Sequence, residues 1–233
     1  MSMVEGWIGM AGGERKRRIT LIALIVGGLL AIAAGALLLP DAKPEGEAVA
    51  AARVEGFRTA RFGDDEKAVR AAIATDFGKM GEAVKIVDNP VERTRVLVVR
   101  APNLFADAGE AEIGYVIGYK SKALIQVNLL WGTPLTPAVT RAQLNAVAAT
   151  LMRYFGGQGF APQSVTRNRP LGKNGVLVFQ GSDARGHMVQ LVRRSEAPAL
   201  DKADAAAPRM TLRLAYIADA KTPDIFRIAD GAF

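Results

Sequence analysis

Few residues in this chain could perform chemistry. The sequence has no cysteine and one histidine, His187, so thiolate nucleophiles, disulfides, zinc–thiolate sites and iron–sulfur clusters are excluded. His187 stands at the start of a predicted strand, directly after a glycine turn, and we expect it to be exposed at a hairpin edge. With one histidine, a metal site would have to consist mostly of carboxylates. We therefore expect no metal and no cofactor.

The serines and glycines do not form a known catalytic or phosphate-binding pattern. The serines stand at positions 2, 121, 164, 182 and 195, and none lies in a G-x-S-x-G or S-x-x-K motif. Ser121 and Ser182 fall in predicted turns, where hydroxyls commonly bond to the backbone. The glycine-rich run at 156–159 follows a predicted helix instead of preceding one, and it lacks the lysine of a P-loop.

The acidic and aromatic clusters are better explained by structure than by catalysis. Residues 64–66 (Asp-Asp-Glu) are the densest acidic run, and they stand where a helix should start, so capping is the expected role. Tyr115, Tyr119 and Trp131 alternate on predicted strands. They could line a ligand groove, but core or cross-strand packing is expected. We therefore predict that this protein is not an enzyme.

The formal charge of +7 is distributed unevenly. Residues 140–233 carry 13 basic and 7 acidic side chains, whereas residues 41–139 carry 13 and 14. The surplus in the C-terminal half is either a solvated basic face or an attractant for an anionic partner, such as lipid head groups, an acidic protein or an acidic glycan. Nucleic acid is not expected as a partner, because the domain should lie outside the cytoplasm.

That location follows from an apolar segment near the N-terminus. Residues 19–39 lack any charged side chain, and at about 1.5 Å per residue they span about 31 Å, the thickness of the bilayer core. The segment follows a basic cluster, which should stay in the cytoplasm: Arg15, Lys16, Arg17 and Arg18. The sequence therefore predicts a cytoplasmic N-terminus at 1–18, a transmembrane helix at 19–39 in the inner membrane, and a periplasmic C-terminal domain.

Two further features of this segment bear on its role. A signal peptide cleaved after Ala31-Ile32-Ala33 is the alternative to an anchor, but the apolar run continues to Pro40, which favours retention. Small residues also recur every four positions and form a ridge on one helix face: Ala23, Gly27, Ala31 and Gly35. Such a ridge lets a second helix approach closely, so it predicts a membrane protein partner.

The pattern of the remaining residues predicts an α+β protein. Residues 40–56 predict a linker, residues 57–133 and 134–220 each predict a helix followed by four strands, and residues 221–233 form a tail. The predicted strands cover 84–88, 94–100, 111–120, 123–131, 164–169, 176–180, 187–194 and 210–218. The first helix should end at Gly78, and the second should begin with Thr136 as N-cap and Pro137 as its first residue. Either an antiparallel helix-plus-four-strand unit is duplicated, or a single sheet is covered by both helices.

The start of the first helix resembles a known family. Phe62-Gly63, the acidic run at 64–66, Val69 and Gly78 resemble the same region in small outer-membrane-assembly lipoproteins and in tandem-domain β-lactamase inhibitors. The chain lacks the lipidated cysteine of the former and the disulfides of the latter. The resemblance implies a protein-binding module.

These observations favour a non-enzymatic, single-pass membrane protein that acts as a binding or assembly factor, as an accessory subunit of a larger membrane complex. Its expected partners are the lipid bilayer and one or more membrane proteins. The alternative is a stand-alone periplasmic ligand-binding or inhibitor protein, with or without a cleaved signal peptide.

The predicted topology can be tested with reporters fused after Phe233. Because the basic cluster at 15–18 should remain in the cytoplasm, a periplasm-dependent reporter such as alkaline phosphatase should be active, and a cytoplasm-dependent reporter should be inactive. The opposite pattern would contradict the assigned compartment.

Overall fold

The computed structural model describes residues 50–102, 104–196 and 209–227. Two α-helices, α1 (Glu66–Phe77) and α2 (Arg141–Gly156), each precede four strands. A short hairpin of β1 (Gly56–Phe57) and β2 (Ala60–Arg61) comes before α1. The remaining strands are β3 (Lys85–Asn89), β4 (Thr94–Ala101), β5 (Ala111–Ile117), β6 (Leu124–Gly132), β7 (Thr166–Pro170), β8 (Gly175–Ser182), β9 (Met188–Glu196) and β10 (Arg209–Ile217). The predicted α+β class and the predicted order of elements are confirmed.

The eight long strands form a single antiparallel sheet in the order β3-β4-β5-β6-β10-β9-β8-β7. The last strands of the two groups, β6 and β10, pair along seven residues, from Gln126 opposite Ile217 to Gly132 opposite Thr211. The sequence left open two separate units or one sheet. The structure has one sheet, and reading from either edge inward gives the four strands of one group in chain order.

Helix α1 begins and ends at the predicted residues. Asp65 is the N-cap, and its Oδ1 accepts a hydrogen bond from the Ala68 amide at 2.8 Å. The C-cap is Gly78, with φ of 54°, a conformation that favours glycine. Val69 and Ile73 lie one turn apart on the buried side of the helix.

Helix α2 begins four residues later than predicted. Thr140 is the N-cap, and it forms a capping box with Gln143, in which each side chain bonds to the other residue's backbone N–H. Thr136, the predicted cap, instead accepts a hydrogen bond from the Glu110 amide at 2.9 Å. The prediction of Thr136 and Pro137 as the helix start was wrong, because the Thr136 hydroxyl is occupied by a segment 26 residues away.

One face of the sheet holds the main hydrophobic core. Both helices pack their apolar stripes into the same cluster, with Ile73 of α1 and Leu151 of α2 fully buried. Alternate strand residues supply the other side of this cluster, including Leu97, Ile113, Leu129, Leu191 and Leu214. Alternation along β6 is interrupted at one place. Val116 pairs with Gln126 and Ile117 with Leu124, so Ile125 is the extra residue of a β-bulge, and Leu124 is buried in the core.

The β8–β9 turn holds the start of the domain in what we term the Asp183 clasp, formed by Val54, Asp183, Arg185 and His187. The Asp183 side chain is 1% exposed. Its Oδ2 accepts from the Val54 amide at 3.0 Å, and its Oδ1 accepts from the amides of Arg185 and His187 at 2.9 and 3.0 Å. His187 Nδ1 donates to the Val54 carbonyl at 2.7 Å. His187 is therefore not an exposed hairpin residue, as predicted, but is 22% exposed and bonded within the clasp.

The described part of the C-terminal tail packs on the β5–β6 turn. The Asp224 carboxylate accepts from the amides of Lys120 and Ser121 at 3.0 and 2.8 Å. The Phe226 ring lies 3.7 Å from the Arg93 guanidinium and stacks edge-on with Tyr119. The tail thus ties the β5–β6 turn to the residues that follow β3.

Among the described residues, no helix is long and apolar enough to cross a membrane. The predicted anchor at 19–39, its basic flank at 15–18 and its ridge of small residues lie outside the described residues.

Replacement of Asp183 by alanine should lower the free energy of unfolding by about 2 kcal/mol, because one buried and two partly buried amides lose their acceptor. Burial raises the pKa of Asp183, but the hydrogen bonds from Val54, Arg185 and His187 outweigh it and hold the pKa below its ordinary value. The contribution of Asp183 should therefore be complete above the unfolded-state pKa of about 4 and be lost as the pH falls through the lower folded-state pKa. Urea denaturation as a function of pH measures both effects.

The matched control for Asp183→Ala is Asp88→Ala. Asp88 forms an exposed ion pair with Arg95 at 2.9 Å, and such pairs contribute less than about 1 kcal/mol. If both substitutions cost the same free energy, the clasp does not stabilise the domain beyond an ordinary surface contact.

Candidate binding face

The residues considered for catalysis occupy structural positions. His187 bonds within the Asp183 clasp and contacts the Phe62 ring edge-on. Ser121 Oγ accepts from the Ala123 amide, as expected for a turn, and Ser164 Oγ donates to the Ala161 carbonyl. The hydrogen bonds that these side chains make therefore serve turns and the attachment of the chain's first described segment.

The acidic run at 64–66 is also structural. Asp64 accepts from the Arg61 amide at 2.7 Å, Asp65 caps α1, and Glu66 pairs with Arg70 and Arg95 at 2.8 and 3.4 Å. The hydrogen bond from Arg70 holds the pKa of Glu66 below its ordinary value. Residues 50–102, 104–196 and 209–227 contain no group of three or more potential metal-ligating side chains.

Two of the three aromatic candidates, Tyr115 and Trp131, are fully buried in the core. Burial raises the pKa of Tyr115, whose hydroxyl has no hydrogen-bond partner within the described chain. Tyr119 lies in the β5–β6 turn, away from the strand on which it was predicted. These three residues do not form a common groove.

The face of the sheet opposite the helices is different, and we term it the open face. The β-pairing places alternate residues of every long strand on it, and no helix of the described chain packs there. Its centre carries pairs of amide side chains: Gln126 donates to Asn128 at 2.8 Å, and Gln190 donates to Gln180 at 3.3 Å. The open face is therefore mixed in polarity, unlike the helix-covered face.

In the N-terminal half of the open face, charge is balanced. Val96 and Val98 are partly buried, and Arg100 lies beside them. The Arg100 guanidinium pairs with Glu110 and Glu112 at 3.4 and 3.5 Å. Arg100 therefore already has carboxylate partners on the same chain.

In the C-terminal half, the open face contains a basic groove of about 480 Å³. Three arginines, Arg194, Arg209 and Arg213, surround an apolar floor. The groove is lined by Leu130, Leu171, Gln190, Val192, Arg194, Arg209, Thr211 and Arg213. In the strand register, Glu196 of β9 lies opposite Arg209 at one end of the groove.

The strand register fixes the arrangement of the three arginines. Arg194 of β9 lies opposite Thr211 of β10, and Arg209 and Arg213 flank Thr211 two residues away on either side. Diagonal neighbours of this kind lie about 7–8 Å apart. Arg194 therefore stands between the other two, and the three side chains emerge from the same face.

Arg213 lies in the middle of this surface and is partly buried. Burial lowers the pKa of Arg213, and the positive charge of Arg194 lowers it further. Its Nη2 donates to Gln190 Oε1 at 2.9 Å. The ion pairs among the described side chains use Arg61, Arg70, Arg95, Arg100, Arg185 and His187. Arg213 lies opposite Val192 and so faces no charged residue on β9.

A second basic depression adjoins the groove and shares Arg194 with it. This depression, of about 300 Å³, is also lined by Arg141, Lys173 and Arg193. Arg141 donates to Ser195 Oγ at 3.4 Å, and Arg193 donates to Asn145. Arg141 is the first residue of α2, so the positive end of the helix dipole adds to the field here.

Sequence reasoning located the charge surplus in the C-terminal half but did not find the groove. A signal was present, because Arg209, Thr211 and Arg213 alternate with the apolar residues of β10. The convergence with Arg194 depends on the register between β9 and β10, which single-strand alternation does not give.

Two sets of predicted site residues fall outside the part of the chain that the structure describes. They are the predicted helix-packing residues Ala23, Gly27, Ala31 and Gly35, and the predicted topology determinants Arg15, Lys16, Arg17 and Arg18.

Comparison with known proteins finds no matching family, no matching curated protein and no matching solved structure. The resemblance to outer-membrane-assembly lipoproteins and tandem-domain inhibitors stays a prediction.

Replacement of Arg213 by methionine should raise the free energy of unfolding by about 1 kcal/mol, because a partly desolvated charge without a counter-ion is replaced by an apolar side chain of similar length. Urea denaturation measures the change. Arg100→Met is the control, and its effect should stay within about 1 kcal/mol, since it removes exposed ion pairs. A clear loss of stability in Arg213→Met would show that Arg213 supports the fold instead of being kept for binding.

Proposed function

We propose that this chain is a non-enzymatic, single-pass membrane protein whose extracytoplasmic domain binds partner proteins, and that it serves as an accessory subunit of a larger membrane complex. The observation that carries the proposal is the open face. It is a broad sheet surface with a basic groove, on the side opposite both helices. Antiparallel sheets commonly leave one face exposed to solvent, so this face is accessible to a partner.

The use of the potential catalytic groups supports a binding role over an enzymatic one. The lone histidine and the acidic cluster take part in turns, caps and the Asp183 clasp. Catalysis needs an acid, base or nucleophile that can reach a substrate. The groove and the depression beside it are lined by arginine, lysine, amide, hydroxyl and apolar side chains, which suit binding.

Membrane attachment rests on the sequence. The uncharged segment at 19–39 has the length of one bilayer crossing, and the basic cluster at 15–18 precedes it. The ridge of small residues at 23, 27, 31 and 35 favours contact with a second helix. Two contact regions are therefore proposed, one in the membrane and one on the domain.

We also propose that the domain arose from a duplicated helix-plus-four-strand unit. The repeated order of elements and the meeting of the two groups at β6 and β10 support this idea. In such a duplication, the last strand of one half pairs with the last strand of the other half. The strands of each half then follow chain order from the edge of the sheet to its centre.

A stand-alone periplasmic ligand-binding or inhibitor protein is the second candidate. The basic groove favours it, since a groove of about 480 Å³ is large enough for a small anionic ligand. Purification of the full chain in mild detergent separates the two functions. A subunit should migrate with a defined set of proteins, whereas a stand-alone binder should migrate alone.

The contribution of the membrane helix can be tested by replacing Gly27 and Gly35 with leucine. The segment stays apolar and long enough to insert, but the ridge becomes bulky. Loss of close packing costs on the order of 1 kcal/mol per contact, so the yield of the co-purified partner should fall by several-fold. Quantitative pull-down from detergent extracts measures this yield.

The control is leucine at Ala33 and Ala36, which lie off the ridge. Equal losses from both pairs would indicate general crowding. No loss from either pair would show that the helix only anchors the protein and that the partner is held by the extracytoplasmic domain.

A further inference from the structure

We propose that the basic groove binds an acidic, extended segment of a partner protein, with carboxylates at alternate positions. This inference rests on the proposed binding function and identifies the chemistry of the partner at the open face. It rests on the groove's arginines, their spacing and the apolar floor between them.

The first argument is the imbalance of charge. Residues 134–195 carry eight basic side chains and one carboxylate, Asp183, and that carboxylate is buried in the clasp. Arg100 shows what the same face does with an arginine that needs no external partner, since two glutamates flank it. Arg209 lies opposite Glu196 in the strand register, but Arg194 lies opposite Thr211 and Arg213 opposite Val192. Neither Arg194 nor Arg213 thus faces a carboxylate on the neighbouring strand, and a ligand that supplies carboxylates would pair with them.

The second argument is spacing. Along β10, Arg209 and Arg213 are four residues apart, which is about 13 Å, and Arg194 lies between them on β9. In an extended peptide, side chains on one side recur every two residues, or about 7 Å. Two carboxylates at alternate positions could therefore each meet one or two guanidinium groups of the groove.

The third argument is the apolar floor. Leu130, Leu171 and Val192 line the groove between the arginines, and Val192 is buried. An inorganic anion would leave these apolar side chains exposed to solvent. A peptide that carries an apolar side chain next to its carboxylates would cover them, and the amide of Gln190 and the hydroxyl of Thr211 could bond to its backbone.

The test uses the full chain in nanodiscs of phosphatidylcholine and a fluorescein-labelled peptide with the sequence Leu-Ser-Glu-Ser-Glu-Ser-Leu. Its leucines and glutamates share one side when the peptide is extended. Fluorescence anisotropy at 50 mM salt should show saturable binding. The same peptide with glutamine in place of glutamate should bind at least ten-fold more weakly, since charge-assisted hydrogen bonds are lost.

The variant Arg194→Gln should weaken binding of the glutamate peptide by about ten-fold, and Arg209→Gln should weaken it less, because Glu196 already lies opposite Arg209. Both side chains are exposed, so these proteins should fold normally, which circular dichroism verifies. Arg213→Gln should have an effect at least as large. Arg100→Gln is the matched control on the same face and should leave the affinity unchanged, because Arg100 already has two carboxylate partners.

Several results would overturn the proposal. These are absence of saturable binding by the unaltered chain, equal binding of the glutamine peptide, and equal loss in Arg100→Gln and the groove variants. Nanodiscs of phosphatidylglycerol supply the remaining outcome. If the groove holds lipid head groups, anionic lipid should abolish peptide binding at 150 mM salt, whereas a groove for an acidic protein should keep its affinity within about three-fold.

Failure of this inference differs from failure of the proposed function. If proteins co-purify with the chain but the acidic peptide does not bind, the subunit role stands and the assignment of the groove fails. If the peptide binds through the arginines but no protein co-purifies, the groove stands and the role as a subunit fails.

Discussion

The pairing of β6 with β10 determines the rest of this structure. Each group of four consecutive strands is an antiparallel meander with one helix, and a four-stranded meander has two edges. Joining β6 to β10 removes one edge from each group and extends the sheet to eight strands. Because each helix packs on its own group from the same side, one face of the long sheet becomes a continuous core. The opposite face is left without a helix from the described chain, and all candidate binding features lie there or along its rim.

The two outer edges of the sheet differ in a way that bears on partner contacts. At β7, Arg167, Arg169 and Pro170 protect the edge, since charge and proline both discourage pairing with a further strand. At β3, Ile86 and Val87 are 44% and 42% exposed on a strand of five residues. The short length of β3 limits pairing at this edge. Growth of the sheet by strand addition is thus disfavoured at both edges, and the broad open face is the larger surface for contact.

Local patterns in the sequence were sufficient for the elements but not for their long-range connections. Alternation located all eight strands of the sheet to within a few residues, because a half-buried strand must alternate apolar and polar side chains. The helix start at Thr140 was missed although Thr140 and Gln143 form a capping box, since Thr136 followed by Pro137 is an equally good local signal. What excluded Thr136 is the Glu110 amide, which lies far away in sequence. The Asp183 clasp likewise joins residues 129 positions apart. The basic groove depends on register across β9 and β10, so composition indicated its charge but not its geometry.

The open face can remain uncovered because its side chains satisfy one another. Amide pairs at Gln126–Asn128 and Gln180–Gln190 bond across its centre, and the apolar residues Leu177, Val192 and Ala215 are buried by their neighbours on the same face. Long arginine side chains cover apolar surface with their methylene groups while keeping the charged end in water, which explains how Arg213 can stand over this floor. The same packing partly desolvates the Arg213 guanidinium and places Arg194 near it, and both effects disfavour its charge. A fold optimised for stability alone would place a neutral side chain there. The proposed binding of an anionic partner therefore rests on Arg194 and Arg213, which face Thr211 and Val192 across the strands, whereas Arg209 faces Glu196.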